Sequence, residues 1–548
     1  MTTQIKEKKS LLRSSAIVST MTMLSRVLGL IRDVIFARFI GADGNADAFF
    51  VAFKVPNFLR RLFAEGAFSQ AFVPVLSEYR QNGTLAATQA FIDRICGCLG
   101  LSLIGLTVLV VVASPVFTAF FGLGFLINDP NKFWLTADLL RITFPYLLLI
   151  SMTGFAGAIL NSYDQFAVPA ITPVFLNVSL IFAAAIASQW FDEPVMALAW
   201  GVLAAGVVQL LFQVPFLLRL GLMPHPKVDW SDESVRKVLK LMAPAMFGVS
   251  VSQINLLFDT ILASFLPTGS PSWLYFSDRL VELPLGVFGV AIATVILPNL
   301  SRQFASGAEH FSRTLEWSIQ MILLIALPAT VALSILAEPI LFTLFQYDKM
   351  TVRDVTMASY SLRAYALGLT AFMLIKVLAS AFFSRQDMKT PVRIGIIAMA
   401  TNMVLNVIFV VPLHFIWAIG HVGLALATAG SAFLNAGLLF HGLKKDKVFE
   451  AKAPWAKFSI QCLVANGVMG LTLVVILSLP LFIGQIPAHE SFSVAASIAN
   501  LNIVDFAHLD WWQRSVHLGV CVMAGGFAYL LTLYLAGLRL KDIKFRAA

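Results

Sequence analysis

Two adjacent arginines and a carboxylate lie inside a long apolar region near the N-terminus. The stretch FLRRLFAEGAFSQAFVP, residues 58–74, carries Arg60, Arg61 and Glu65 within six positions. Guanidinium groups present a planar fork of donors that suits phosphate and carboxylate oxygens. Glu65 follows Arg61 by four residues, the helical spacing at which a carboxylate can brace a cation. These residue types predict an anion-binding surface on a helix surrounded by apolar neighbours.

Further ionisable residues interrupt the neighbouring apolar segments. Arg26 lies thirteen residues beyond Arg13, which is roughly 20 Å along a helix. A charge at the centre of a bilayer costs roughly 2.5–3.5 kcal/mol on insertion scales. Snorkelling of long side chains explains charges near segment ends but not Arg26. We therefore predict a water-filled, cation-rich cavity that binds an anionic, phosphorylated substrate. Its predicted residues are Arg26, Arg32, Asp33, Asp47, Lys54, Arg60, Arg61, Glu65, Asp278 and Arg279.

A second polar group lies in the later part of the chain. The segment NMVLN places Asn402 and Asn406 four residues apart, on one face of a helix. Asp259 and Thr428 could supply further oxygens, and a set of oxygen ligands suits a hard cation such as Na⁺. The alternative is hydrogen bonding between helices, which is common for Asn and Thr in membranes. The sequence establishes no cofactor, and Na⁺ or another coupling ion is the candidate.

Composition places the chain among polytopic α-helical membrane proteins. Of its 548 residues, 58% are hydrophobic and only 13% are charged, whereas soluble domains average about 25% charged residues. The four cysteines lie in apolar runs and the eight histidines are scattered, so neither predicts a metal site. The formal charge of +9 does not indicate a nucleic-acid partner, because the basic residues follow membrane topology.

Hydropathy predicts fourteen transmembrane helices with both termini in the cytoplasm. The connections assigned to the cytoplasm hold twenty-four Lys and Arg, against three (Lys132, Lys349 and Arg353) outside. This bias matches the positive-inside rule and requires an even number of spans. The predicted spans are 14–40, 46–78, 87–121, 133–160, 168–191, 195–219, 238–266, 272–301, 312–336, 355–384, 391–414, 420–443, 456–482 and 511–538.

An internal repeat divides these spans. RDVIFARFIG (32–41) aligns with FDTILASFLP (258–267) at an offset of 226, and FVPVLSE (72–78) with ILPNLSR (296–302) at 224. We predict two six-helix lobes related by a pseudo-two-fold axis along the membrane normal, a known transporter design, plus two extra C-terminal helices. The predicted domains are 1–225, 226–450 and 451–548. Pro56, Gly66 and Pro74, with Pro284 and Gly286, are expected to bend the helices that line the cavity.

Three stretches carry a resemblance to a known family. SRVLGLIRD (25–33), AFKVPNFLRRLFAEGAFSQAFVPVLSEY (52–79) and YFSDRLVELPLGVFGVAIATVILP (275–298) resemble the MurJ, or MviN, lipid II flippases. That family belongs to the multidrug/oligosaccharidyl-lipid/polysaccharide exporter superfamily. The resemblance implies that Arg26, Arg32 and Arg279 contact the substrate's pyrophosphate and sugar head. It also implies a groove for the undecaprenyl tail along the last two helices, and a sodium site at the oxygen cluster.

The function implied is that of a transporter and not an enzyme. The protein is expected to be a monomer of the bacterial inner membrane. It would move lipid II from the inner to the outer leaflet by alternating access, for cell-wall synthesis. Three alternatives remain: another exporter of the superfamily, such as a polysaccharide-lipid flippase or a cation/drug antiporter; a polyprenyl-phosphate glycosyltransferase; and a scaffold or receptor. An antiporter for cationic drugs would need an acidic cavity, and a glycosyltransferase would need clustered loop acids. The loop 483–510 has Glu490, Asp505 and Asp510 widely spaced.

Overall fold

Helices make up almost all of the protein that the structure describes. The computed structural model describes residues 2–61, 68–289, 296–297, 299–303, 308–479 and 506–539, and those residues contain no strand. The helices are α1 (Thr2–Phe39), α2 (Gly44–Arg60), α3 (Phe68–Asn82), α4 (Leu85–Val112), α5 (Ser114–Phe121), α6 (Leu123–Asn128), α7 (Pro130–Thr143), α8 (Tyr146–Ser162), α9 (Ala167–Ala185), α10 (Pro194–Leu220), α11 (Glu233–Ser264), α12 (Ser270–Pro284), α13 (Ala308–Ile335), α14 (Ala337–Phe345), α15 (Val352–Phe383), α16 (Lys389–Trp417), α17 (Gly420–Lys445), α18 (Trp455–Ser478) and α19 (Trp511–Leu535). The all-α prediction is confirmed for these residues.

Ten helical segments in the described residues are long and apolar enough to cross a membrane. They coincide with ten of the predicted spans, which makes the chain a multi-pass membrane protein. The other four predicted spans fall in α1, in α2 with α3, in α11, and in α12. All of these spans except the one in α11 carry predicted cavity residues, and α2, α3 and α12 are only 17, 15 and 15 residues long. The full count of fourteen and the two-fold relation between lobes stay predictions.

Local sequence signals set where many helices begin. Asp43, Thr84 and Asp129 accept hydrogen bonds from backbone N–H groups in the first turns of α2, α4 and α7. Such caps satisfy donors that have no partner within the helix. Thr351 and Asp354 form a capping box at α15, and Gly221 ends α10 in the left-handed conformation at φ 67°. The caps therefore fix the short connections that separate the spans.

Packing divides the chain into two units, Met1–Ser272 and Trp273–Ala548. In the first unit α11 packs against α3, α4, α5 and α6. An aromatic stack joins α3, α4 and α8, with ring centroids 5.6 Å apart for Phe72 and Phe91 and 5.1 Å apart for Phe72 and Phe155. The lobe boundary predicted at 225/226 rests on the sequence repeat, whereas the packing boundary lies within α12, between Ser272 and Trp273. The predicted domains stay a prediction about the repeat.

In the second unit α15 and α17 form the centre, and α16 packs along α17. The last two helices, α18 and α19, pack on each other and on α13 and α14. Glu316 Oε1 of α13 accepts hydrogen bonds from Lys452 N, Ala453 N and Trp455 Nε1, at 3.1, 2.9 and 2.6 Å. Buried acceptors need such partners, so this carboxylate fixes the segment that enters α18.

The end of α12 departs from α-helical geometry at a predicted position. Pro284 is the last residue of α12, and a π-helical turn follows at Leu285–Gly289. Proline removes a backbone donor, and π-turns widen a helix locally, often at functional sites. The predicted irregularity at Pro284 and Gly286 is confirmed. Pro56 and Pro74 lie inside α2 and α3, while Gly66 lies outside the described residues.

Candidate functional site

Arg32 and Asp33 of α1 form a buried ion pair in the first unit. Arg32 Nε and Nη2 donate to Asp33 Oδ1 at 3.0 and 2.7 Å, and Arg32 Nη1 donates to Asn177 Oδ1 of α9 at 3.0 Å. Asn177 Nδ2 in turn donates to the carbonyl of Ser25 at 3.0 Å. Arg32 is only 7% exposed, so its guanidinium fastens α1 to α9. The predicted contact of Arg32 with substrate stays a prediction that this geometry does not favour.

The cations of α2 are more accessible. Lys54 and Arg60 are half-buried, Arg61 is exposed, and Arg60 Nε donates to Asn57 Oδ1 at 3.3 Å. The spacing of 54, 57 and 61 places these positions on one face of the helix. Glu65, predicted to brace Arg61, lies outside the described residues. The α2 face therefore supplies positive charge that an anion could reach.

Arg26 of α1 is half-buried. Within the described part of the chain neither Arg26 nor Arg61 forms an ion pair or a side-chain hydrogen bond. A guanidinium without a protein partner retains its five donors for water or for an anionic ligand. Of the predicted arginines in the first unit, these two are the ones whose geometry suits substrate binding.

Asp47, at the start of α2, is fully buried and surrounded by donors. Its Oδ2 accepts from Gly269 N at 2.7 Å and lies 3.5 Å from Lys132 Nζ. Its Oδ1 accepts from Ser272 N at 3.1 Å and from Ser272 Oγ at 2.6 Å. Lys132 Nζ also donates to Thr268 Oγ1 at 3.0 Å. Asp47 therefore holds residues 267–272, called the turn 267–272, which are the connection before α12 together with the first three residues of that helix. Its carboxylate is fully buried and does not face an open cavity.

The sequence places Lys132 in an outer connection, and the structure instead places it in the first turn of α7. Its side chain is 7% exposed, and its ammonium lies 5.0 Å from the centroid of the Phe125 ring. Sequence reasoning missed this partner of Asp47, as it missed Asn177 and Ser272. The available signal was the position of Lys132, a single lysine directly before an apolar span. A solvated loop does not require a lysine at that position.

In the second unit Arg279 of α12 is partly exposed and has a partner on its own helix. Arg279 Nη1 lies 2.8 Å from Glu282 Oε2, and its guanidinium carbon lies 5.0 Å from the Tyr275 ring centroid. Exposed pairs of this kind contribute little to stability, so the guanidinium can be shared with a ligand. Asp278, its neighbour, is exposed. Both residues fit a polar, water-accessible surface.

The polar cluster of the second unit is compact, with Asn402, Asn406 and Ser431 buried and Thr428 half-buried. Asn402 Nδ2 donates to Ser431 Oγ at 3.3 Å and approaches Thr428 Oγ1 at 3.5 Å. Asn406 Nδ2 donates to Asn402 Oδ1 at 2.9 Å. The contacts of Asn402 with Ser431 and Thr428 join α16 to α17, which is the hydrogen-bonding alternative to an ion site, whereas the Asn406–Asn402 bond lies within α16. Asp259, the fourth predicted ligand, is half-buried on α11 in the first unit. The described residues contain no group of three His, Cys, Asp or Glu that could hold a metal.

Comparisons with known proteins cover most of the chain. A family model described as "Lipid II flippase MurJ" matches residues 36–487. The chain is 47% identical over 550 residues to a "Probable lipid II flippase MurJ" of Vibrio cholerae, covering 99% of both sequences. The chain belongs to the MurJ lipid II flippase family. A MurJ relative from Haemophilus influenzae is 50% identical over 463 residues, covering 82% of this chain and 89% of that sequence.

Two solved structures resemble the fold of this MurJ family chain. A structure described as "Lipid II flippase MurJ, inward closed conformation" matches with a TM-score of 0.75 and 25% identity, covering 95% of this chain and 98% of that one. An inward-facing multidrug transporter of the MATE family matches with a TM-score of 0.61 and 15% identity, covering 80% and 99%. The second likeness shows a shared fold alone. The predicted family is thus confirmed.

Proposed function

We propose that this chain is a lipid II flippase that delivers its substrate from the inner to the outer leaflet of the bacterial cytoplasmic membrane by alternating access. Its relatives of 47% and 50% identity are named probable lipid II flippases. The substrate's head carries a pyrophosphate, which has several anionic oxygens in two groups. The observation that carries the proposal is a pair of arginines in an apolar chain, Arg26 of α1 and Arg61 at the end of α2. Neither has a protein partner among the described residues.

The chemistry required is binding and release, with no covalent step. Arginine is suited to this work because its charge does not vanish on burial and its donors match phosphate oxygens in pairs. Cations in water-excluded surroundings bind anions more strongly than cations in bulk water. The protein is therefore proposed to act as a transporter and not as an enzyme. We further propose that it works as a monomer with both termini in the cytoplasm.

Arg26→Ala and Arg61→Ala test the role of these arginines. Each removes a cation that has no described structural partner, so we expect normal membrane levels with transport reduced at least about tenfold, as for loss of one charged contact. Arg313→Ala is the matched control, because Arg313 is an exposed arginine that lies 3.4 Å from Glu309.

The assay is replacement of a host's own flippase, with outer-leaflet lipid II measured by a reagent that cannot cross the membrane. We expect the wild-type chain and Arg313→Ala to restore outward exposure. Full restoration by both Arg26→Ala and Arg61→Ala would contradict the assigned residues. Failure of the wild-type chain itself, at normal membrane level, would contradict the flippase proposal.

Sodium coupling at Asn402, Asn406 and Thr428 is a separate proposal for the same cycle. Its support is the burial of Asn402 and Asn406, with the half-buried Thr428 hydroxyl 3.5 Å from Asn402 Nδ2. Asn406→Leu should abolish any dependence of transport on a sodium gradient while the α16–α17 contact persists. Equal transport with sodium and with choline in the wild type would exclude sodium as the coupling ion.

A further inference from the structure

A second buried ion pair of the first unit, Asp47 with Lys132, combines an anion and a cation that come from distant parts of the sequence. Asp47 is 0% exposed and Lys132 is 7% exposed, and their charged atoms lie 3.5 Å apart. Removing an ionic group from water costs several kcal/mol unless charge and hydrogen bonds compensate it. Gly269 N, Ser272 N and Ser272 Oγ supply the hydrogen bonds to the carboxylate. Lys132 supplies the charge.

The segment held by this pair has a special place in the chain. Residues 267–272 are the last of the first packing unit, and Trp273 begins the second. Gly269 has φ 98°, a left-handed conformation that glycine adopts readily. Two N–H groups of the turn point to Asp47, and its Thr268 hydroxyl accepts from Lys132. The chain thus passes from one unit into the other through a turn fixed by one carboxylate and one ammonium.

The ammonium is built into the fold. Lys132 stands in the first turn of α7, where Asp129 Oδ1 accepts from its backbone N–H at 3.2 Å, and its Nζ lies 5.0 Å from the Phe125 ring. A dissolved cation at this position would exchange with the medium, whereas a side chain stays bound to the backbone. Asp47 therefore has a permanent counter-ion that does not depend on the ionic composition outside.

We propose that Lys132 is a positioning residue of the transport cycle, whose ammonium holds the Asp47 carboxylate against the turn 267–272 and so controls how often this turn opens. The role of Lys132 in a transport cycle rests on the proposed flippase function, whereas opening of the turn can be measured without substrate. Lys132 acts through Asp47 and contacts no substrate group. The structure therefore assigns a role in the cycle to a residue that lies outside the arginine-bearing helices.

Ser270 provides a reporter inside the turn. Its side chain is fully buried, and its Oγ has no hydrogen-bond partner in the described part of the protein. Ser270→Cys consequently loses no described hydrogen bond and adds little volume. The four native cysteines are all buried and are replaced by serine or alanine in the reporter chain. The rate at which a small, water-soluble thiol reagent modifies position 270 then measures opening of the turn.

Lys132→Met in this reporter chain leaves Asp47 buried without its cation. We expect the labelling rate to rise by at least about tenfold, because removing one partner of a buried pair is strongly destabilising. Asp47→Asn combined with Lys132→Met removes both charges, and its labelling rate should return towards that of the parent. Lys349→Met is the matched control, since Lys349 is an exposed lysine, and it should leave labelling unchanged.

Chemical rescue separates a role of charge from a role of packing. Lys132→Ala leaves room beside Asp47, which a small alkylammonium ion such as ethylammonium can occupy. We expect ethylammonium to slow labelling of Lys132→Ala several-fold, and the neutral isostere propane to have no effect. Labelling of Lys132→Met at the parental rate, or additive effects of the Asp47 and Lys132 substitutions, would overturn the proposal. Absence of rescue together with additive effects would assign Lys132 to packing alone.

Transport by the same variants separates this inference from the proposed function. If the parent chain exposes lipid II and Lys132→Met does so at the same rate despite faster labelling, the positioning role is wrong and the flippase function stands. If the parent chain itself exposes no lipid II at normal membrane level, the function is wrong, whereas the labelling results still decide whether Lys132 holds the turn.

Discussion

Arg514 should be the most sensitive single position for attachment of the last helix. It is 7% exposed, and its guanidinium donates to four backbone carbonyl oxygens. Nε reaches Leu509 at 2.7 Å, Nη1 reaches Phe342 and Gln346 at 3.0 and 3.3 Å, and Nη2 reaches Ala507 at 3.0 Å. One side chain thereby joins the start of α19 to the residues before that helix, to α14 and to Gln346, which directly follows α14.

The magnitude follows from these contacts. Hydrogen bonds to a charged group contribute about 1.5–3 kcal/mol each, offset by the cost of removing the guanidinium from water. For Arg514→Met, which retains much of the apolar stem, we expect a net loss of roughly 3–5 kcal/mol. For a unit of this size that corresponds to a fall in the midpoint of thermal unfolding on the order of 10 °C.

Cys521 gives a native readout of this change. It lies seven residues after Arg514, on the same face of α19, and is fully buried. Peptide-level labelling by a thiol-reactive dye during heating should show Cys521 reacting at a lower temperature in Arg514→Met. Arg353→Met removes an exposed arginine and is the control. A midpoint for Arg514→Met within about 1 °C of the control, where surface substitutions fall, would refute the reasoning.

Two further substitutions test contacts inside the first unit. In Gly124→Ala the added methyl would overlap the backbone of Ser264, so α6 must separate from α11. We expect a loss of at least about 3 kcal/mol by thermal unfolding, whereas Gly105→Ala, with no atom within 4 Å of the new methyl, should be neutral or slightly stabilising. Asn177→Leu removes the acceptor of Arg32 and the donor to Ser25, and should cost about 2–3 kcal/mol. An unchanged unfolding midpoint in Asn177→Leu would mean that Arg32 does not fasten α1 to α9.

Helix positions were predictable because the relevant signal is local. Twenty or so apolar residues specify a span wherever they occur, and the i, i+4 rule placed Asn402 and Asn406 on one face. The departure from α-helical geometry after Pro284 was also predictable, since proline lacks the backbone donor that the helical ladder needs.

The site was less predictable because partners are set by tertiary contacts. Sequence alone predicts substrate binding for both Arg26 and Arg32. In the structure Arg32 forms a hydrogen bond with Asn177, which is 145 residues away, whereas Arg26 has no partner among the described residues. Lys132 looked like a marker of topology because it stands near the end of a span, and only packing places it against Asp47. Whether a buried charge binds substrate or another part of the protein depends on such distant partners.

The two attachments of the C-terminal helices have a consequence for how the chain can be divided. Glu316 holds the segment entering α18, and Arg514 holds the start of α19. Tyr529 Oη also donates to the carbonyl of Leu324, at 2.8 Å. Each helix is therefore fastened to the body of the second unit by its own contacts. We therefore expect the last helix to find its place when it is expressed as a separate polypeptide.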